Sequence, residues 1–153
     1  MGSEPKFQIR RLTEKDVEAF QSLVHLFNVV FEEEEKIGSE ARLLNLLRSR
    51  DFIVLAAMID HEVVGGLTAY ELPMYYAEAS EIFLYDLAVN PEHQRKGIGK
   101  GLLGALKEHC LQNTIQTFFV MAHEGDQHAI EFYRATGGKS ENVVNFLYEA
   151  AQD

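Results

Sequence analysis

The sequence predicts an α/β (α+β) fold, a mixed central sheet with helices on both faces, and three observations carry that expectation. Apolar residues switch repeatedly between the two-residue spacing of a strand and the 3.6-residue spacing of a helix. An apolar run, Glu81 to Val89, passes through an Asn-Pro turn into a glycine-rich basic loop and then a helix. The chain has 153 residues, 46% of them hydrophobic and ten of them phenylalanine, enough to bury one core without disulfides or metal. No internal repeat, linker or low-complexity tract interrupts it. Residues 1–153 are therefore expected to form one domain, with residues 1–5 disordered or an expression remnant and excluded from functional argument.

Each element has its own signal. Phe7 to Arg11 reads as a short strand of alternating character. Thr13 is a candidate N-cap, and Val17, Phe20, Leu23, Val24, Phe27, Val30 and Phe31 recur at helical spacing. Gly38 breaks the pattern after an acidic stretch, and Ser39 caps a second helix carrying Leu43, Leu44, Leu46 and Leu47. Phe52 to Ile59 and Val63 to Leu72 pair as a hairpin across Asp60-His61-Glu62. Pro73 opens a loop through Ala79. Glu81 to Val89 is the next strand and a helix runs from about Gly97 to Leu111. Thr117 to Met121 is a strand, Gln127 to Ala135 a helix stopped by Gly137-Gly138, and Val143 to Tyr148 a final strand.

Charge and composition exclude several classes. Fourteen Lys and Arg face 24 Asp and Glu, and a net charge of −10 disfavours nucleic acid as a partner. No apolar run is long enough to span a bilayer and no signal-peptide pattern opens the chain, so neither a membrane nor secretion is expected. A reducing cytoplasm is the expected location. The single cysteine, Cys110, sits in the apolar pattern of a helix and reads as a small buried hydrophobe. His25, His61, His109 and His128 show no ligand grouping, and no metal is expected. The basic residues His93, Arg95, Lys96, Lys100 and Lys107 gather on and after the glycine loop. Acidic residues gather elsewhere, at Glu32 to Glu35, Glu78, Glu81, Asp86, Glu124 and Asp126. That division suits an anionic cofactor at one end and a cationic small molecule at the other.

The loop Gln94-Arg95-Lys96-Gly97-Ile98-Gly99-Lys100-Gly101 can be narrowed further. It lacks the four-residue gap and Lys-Ser/Thr ending of a Walker loop, and the third glycine of a dinucleotide fingerprint. A helix start offers unpaired N–H groups and a positive dipole end, and glycines let a phosphate approach them. Gln94, Gly97 and Gly99 fit Gln/Arg-x-x-Gly-x-Gly/Ala directly after Leu87-Ala88-Val89. This combination resembles the coenzyme A loop of the GNAT superfamily of N-acetyltransferases, and the element order resembles that topology over nearly the whole chain. The resemblance implies a GNAT fold with the central sheet splayed at the cofactor strand and acetyl-CoA as cofactor. It also implies pantetheine pairing with the main chain of Leu87, Ala88 and Val89, the Leu87 N–H being a candidate oxyanion donor. The diphosphate would then rest on Gln94, Arg95, Lys96, Gly97, Ile98 and Gly99, with Lys100 just beyond.

Ala129 to Gly137 resembles a second family signature, in which a tyrosine on a late helix faces the cofactor sulfur. That makes Tyr133 the candidate general acid, a phenol mostly protonated at neutral pH; the same residue could simply pack at a helix end. Asp126 stands where many members have Asn, and Gly138 where Phe usually follows the glycine. For the base, Asp86 lies inside the apolar run from Ile82 to Val89, where an ionised carboxylate is costly. Asp86 is favoured and Glu81 held in reserve. A regular pleat points residues five apart to opposite faces, so only one lines the site unless the strand bulges.

Glu81-Ile82-Phe83-Leu84-Tyr85-Asp86-Leu87-Ala88-Val89 also resembles aminoglycoside 3-N-acetyltransferases of the gentamicin-modifying type. So do Asn45 to Ser49 with Phe52-Ile53, Ala69 to Pro73, and Glu124-Gly125-Asp126. An acidic cleft attracts and orients a polycationic aminoglycoside. Glu32, Glu33, Glu34 and Glu35 are candidates for one wall, Tyr85 lies beside the base, and Glu124, Asp126 and Glu149 are candidates for another wall. His123 and Leu147 replace acidic residues expected of that group, which would loosen such binding. Transfer to a polyamine, another small amine or a protein N-terminus stays open, as does a non-catalytic acetyl-CoA-binding module. Met74, Tyr75 and Tyr76 could serve a homodimer interface or the rim of the acceptor site.

Overall fold

The computed structural model describes residues 6–151, so the expectation for residues 1–5 lies outside the described residues. In chain order it has β1 (Gln8–Arg11), a short 3-10 helix (Glu14–Asp16), α1 (Val17–Val30), α2 (Glu40–Arg48), β2 (Phe52–Ile59) and β3 (Glu62–Pro73). There follow β4 (Ser80–Val89), a second 3-10 helix (Pro91–His93), α3 (Ile98–Gln112), β5 (Ile115–Val120) and α4 (Gln127–Ala135). The chain divides into two compact units, Met1–Met121 and Ala122–Asp153.

The first unit is a five-stranded sheet in the order β1-β2-β3-β4-β5. Its first four strands pair antiparallel, while β5 pairs parallel with β4 after the crossover through α3. Two adjacent glycines of β3 show that helices cover both faces. A Cβ added to Gly66 would lie 2.6 Å from Leu23 of α1, whereas one added to Gly65 would lie 3.3 Å from Ile98 of α3. Successive strand residues point to opposite faces, so α1 and α3 flank the sheet. On the α1 side Phe20, Leu23, Phe27, Leu43, Phe52, Val54, Ala56 and Ala88 form one buried cluster. On the other, α3 buries Ile98, Leu102, Leu103, Leu106 and Cys110.

Local signals place the ends of these elements. The Thr13 side chain accepts from the Lys15 N–H, and Asp16 Oδ2 accepts from the Thr13 N–H at 2.8 Å. Ser39 Oγ accepts from the Arg42 N–H at 3.1 Å and caps α2. The β2–β3 turn holds Asp60 at φ +48° and His61 at φ +67°. Two consecutive positive φ values suit the tight connection of a twisted hairpin.

In the second unit, Asp126 caps α4 by accepting from the Ala129 N–H at 3.1 Å, and Gly137 at φ +101° ends the helix. The expected strand from Val143 to Tyr148 does not form: those residues are neither helix nor strand, and Val143, Val144, Phe146, Leu147 and Tyr148 are exposed. Their β-branched and aromatic character favours an extended ladder only where a partner strand exists. Among the described residues, this unit holds no other strand.

Candidate active site

Of the register shifts in the sheet, the one in the middle of β4 bears on the candidate residues. Thr68 pairs with Asp86 while its neighbour Ala69 pairs with Leu84, so Tyr85 is an extra residue opposite β3. That β-bulge overturns the expectation for a regular pleat. It removes one residue from the alternation, and the five-residue interval between Glu81 and Asp86 acts as four. The packing agrees: Phe83 and Tyr85 have ring centroids 5.6 Å apart, and Ala88 beyond the bulge joins the α1-side cluster. Glu81, Tyr85 and Asp86 therefore belong to the sheet face covered by α1.

The bulge also marks where β4 and β5 part. Their pairing runs from Ser80↔Ile115 to Leu84↔Val120, while β4 continues to Val89 on β3 alone. Beyond the bulge, Asn90 donates its N–H to Val64 O at 2.8 Å. Antiparallel ladders use alternate residues, so Ala88 faces β3 and the main-chain groups of Leu87 and Val89 face the open side. The Gln94 side chain meets one of them, donating Nε2–H to Val89 O at 3.2 Å.

The glycine loop follows directly. Asn90 accepts from the Glu92 N–H to start the Pro91–His93 turn. Arg95 (φ +63°) and Gly97 (φ +82°) then reverse the chain in left-handed conformations. Gly97 is the N-cap of α3, and the first bond of that helix is Gly101 N–H to Gly97 O at 2.8 Å. The N–H groups of Ile98, Gly99 and Lys100 thus precede the helical ladder, in a first turn with no acidic residue. Gly97 leaves open space where a Cβ would stand. A turn of this shape, with Arg95, Lys96 and Lys100 on it, fits the paired phosphates of a coenzyme.

Asp86 is half-buried. Burial pushes its carboxyl above the ordinary range, and the negative charge of Glu33 adds to the rise. The charge of Glu33, 53 positions away in the chain, thus acts on Asp86. Glu33 is held by its N–H donating to Asn28 O at 3.0 Å, just after Glu32 turns the chain at φ +54°. Buried Asn28 donates Nδ2–H to Lys36 O, and Glu35 Oε1 lies 2.9 Å from His25 Nδ1. The acidic segment is therefore tied to α1 at both ends, and Glu32 to Glu35 remain exposed.

The other candidate residues lie in the second unit. Tyr133 lies on α4, its ring 5.3 Å from that of Phe132 and its carbonyl accepting from the Gly138 N–H at 2.8 Å. Asp126 is the helix cap already described, while Glu124 and Glu149 are exposed in non-helical segments. In the first unit, Tyr75 and Tyr76 are fully and largely exposed in the β3–β4 connection, at the end of β4 away from the glycine loop. Sequence reasoning missed Tyr70, whose phenol is pushed up by burial and by the charges of Tyr85 and Asp86. Its face follows from the two-residue spacing from Thr68, whose pairing with Asp86 only the ladder reveals.

Among the described residues, no helix is long and apolar enough to cross a membrane, and no three His, Cys, Asp or Glu side chains gather as metal ligands. Comparison with known proteins agrees with this geometry. Aminoglycoside acetyltransferase meta-AAC0020, from an uncultured soil metagenomic sample, has been solved with sisomicin; it is 37% identical at TM-score 0.92, over 95% of this chain and 97% of that one. The same enzyme with trehalose aligns at 38% identity and TM-score 0.91 with the same coverage. Aminoglycoside acetyltransferase HMB0005, also from an uncultured soil metagenomic sample, is 34% identical at TM-score 0.91, over 95% of this chain and 99% of that one. Aminoglycoside N-acetyltransferase AAC(6')-Iy in complex with CoA shares the fold at 15% identity and TM-score 0.79, over 99% of both chains. No curated protein matches the chain significantly. The acetyltransferase (GNAT) family model matches residues 20–137, across the bulged strand, the glycine loop and the tyrosine helix, and the chain belongs to that family.

Proposed function

We propose that this acetyltransferase uses acetyl-CoA to acetylate an amine of an aminoglycoside, the 3-N amine being the first candidate, and so inactivates the drug. The observation that carries the reading is the half-buried Asp86 carboxylate, raised by burial and then by the charge of Glu33, on the half of β4 that β5 no longer pairs. A polycationic acceptor is attracted to such a carboxylate, and one ammonium group is oriented by it. Sisomicin bound to a relative more than one-third identical supports the same acceptor class.

When bound, acetyl-CoA supplies the acyl group as a thioester. Asp86 accepts a proton from the acceptor ammonium and leaves the nitrogen lone pair free; its raised pKa makes it a better base than an exposed aspartate. Glu81 shares that face and helps retain the cation. The Leu87 N–H, directed away from β3, donates to the oxygen that gains negative charge. Amide groups at the start of α3, with Arg95, Lys96 and Lys100, would hold the phosphates. Tyr133 Oη would supply the proton that the leaving thiolate takes up. Glu124, Asp126 and Glu149 are further candidates for acidic groups that meet the acceptor. The setting is cytoplasmic, where acetyl-CoA is made.

A thiol-release assay with acetyl-CoA, run against gentamicin, sisomicin, spermidine and peptide N-termini with mass spectrometry of products, tests this reading. Mono-acetylated aminoglycoside with a free thiol per turnover is expected. Preferential turnover of spermidine or peptides, or none with any aminoglycoside, would overturn it.

A further inference from the structure

The face that carries Asp86 also carries a continuous band of aromatic rings. Phe52 of β2 meets Tyr70 of β3 at 5.0 Å between centroids, and Tyr70 meets Tyr85 at 5.8 Å. Tyr85 meets Phe83 at 5.6 Å, and Phe83 meets Phe119 of β5 at 4.9 Å. The band thus crosses four neighbouring strands. It is anchored at one end, where Phe52 is buried and touches Phe20 of α1 at 6.0 Å. Toward the site it opens: Tyr70 is 37% exposed, Phe119 40% and Tyr85 58%.

A contiguous patch of exposed aromatic rings, unlike scattered single ones, marks a surface that meets a ligand or partner. Tyr85 is the bulged residue, and the bulge puts its ring on the same face as the carboxylate of Asp86 next to it in the chain. Rings beside a carboxylate on the same face suit a ligand with protonated amines fixed on a saturated ring. The amines pair with the acids and attract the ring faces, while the C–H faces of the ligand pack on the aromatic surface. An open-chain polyamine satisfies the acids equally well but offers no rigid apolar face.

We infer that Tyr85 and Tyr70, whose rings meet edge to face, form an aromatic platform that selects ring-borne amines, such as aminocyclitols and amino sugars, over open-chain polyamines. The inference rests on the function proposed above and deepens it. It makes the two tyrosines determinants of acceptor specificity, with no part in the chemical step.

The test measures KM and kcat of the intact protein for sisomicin and spermidine, with Tyr85→Leu, Tyr85→Phe and Tyr70→Leu variants. Tyr85→Leu is expected to raise KM for sisomicin about tenfold, the scale of a lost cation–π and stacking contact, and to raise it several-fold less for spermidine. Tyr85→Phe keeps the ring and is expected to keep the wild-type preference; Tyr70→Leu follows Tyr85→Leu with a smaller effect. An equal loss for both acceptors, or none, overturns the platform while the proposed function stands. If the wild type acetylates no aminoglycoside, both readings fail. Sedimentation of wild type and Tyr85→Leu covers the remaining case. A dimer that the substitution dissociates would mean a second copy covers these rings, and that too would overturn the inference.

Discussion

Strands β2 and β4 lie in one sheet on either side of β3, yet they are built for different tasks. Seven of the eight residues of β2 are buried, and it pairs along its length with β3, with one register shift between Ala57 and Met58. Strand β4 alternates between buried and half-exposed residues, carries an extra residue at Tyr85, and loses β5 as a partner after Leu84. The buried, fully paired strand holds the two faces of the core apart and supports the helices. The irregular one exposes main-chain groups and a carboxylate that a regular ladder would bury. The proposed chemistry draws on the strand whose pairing is incomplete, and that strand depends on its neighbours for its shape.

The comparison breaks most sharply at Asp86. Asp86→Asn is expected to lower turnover about 10²- to 10⁴-fold, the usual range for losing a general base. It should also stabilise the fold, because the folded-state pKa of Asp86 is raised by burial and by Glu33. A raised carboxyl pKa contributes stability at acid pH, and that contribution is lost as pH rises through the folded value. At neutral pH the ionised side chain is a cost that asparagine avoids. Thermal unfolding of the pair should therefore show a higher Tm for the inactive variant at pH 7 and a smaller gap near pH 4.

On the regular side the largest effect falls at Gly66. A Cβ there would stand 2.7 Å from Leu55 O and 2.6 Å from a Leu23 methyl. Backbone of a buried strand cannot give way as a surface side chain can, so Gly66→Ala is expected to cost about 1–3 kcal/mol in denaturant unfolding. Gly97→Ala separates packing from conformation. Nothing stands within 4 Å of its added Cβ, but the residue sits at φ +82°. The cost is then backbone strain alone, about 1–2 kcal/mol, with weaker coenzyme A binding in calorimetry as the loop relaxes.

Two smaller changes sharpen the contrast. Glu33→Gln removes the like charge that helps raise the Asp86 carboxyl but leaves its burial, the larger cause. The acid limb of the kcat/KM profile should move part of the way to lower pH, and the measurement is that profile for both proteins. Arg48→Ala breaks the exposed pair with Glu14, at 2.8 Å, and is expected to change stability by less than about 1 kcal/mol.

What could be read from the residues divides along the same line. Local signals were legible: Ser39 and Thr13 as caps, Asp60-His61 as a turn, and Gln127–Ala135 with the bounds the structure shows. The glycine loop was legible because its backbone requirement is written into Gly97 itself. The bulge was not, since nothing in Tyr85-Asp86 distinguishes an extra residue from a paired one. Only register against Thr68 and Ala69 decides it, and register is non-local. Tyr70 was missed for that reason, because its face is known only once the ladder is. The apolar segment from Val143 to Tyr148 failed in the opposite sense, with strand character but no ladder in its own unit.

The central claim is that one bulged strand carries both a coenzyme-binding main chain and the acid that handles the acceptor amine. Its most direct test is coenzyme A titration by calorimetry alongside single-turnover acetyl transfer to sisomicin, for wild type and Asp86→Asn. Unchanged coenzyme A affinity with transfer slowed at least about a hundredfold in the variant is the predicted result. Equal transfer rates in the two proteins, or a wild type with no affinity for coenzyme A, would contradict it.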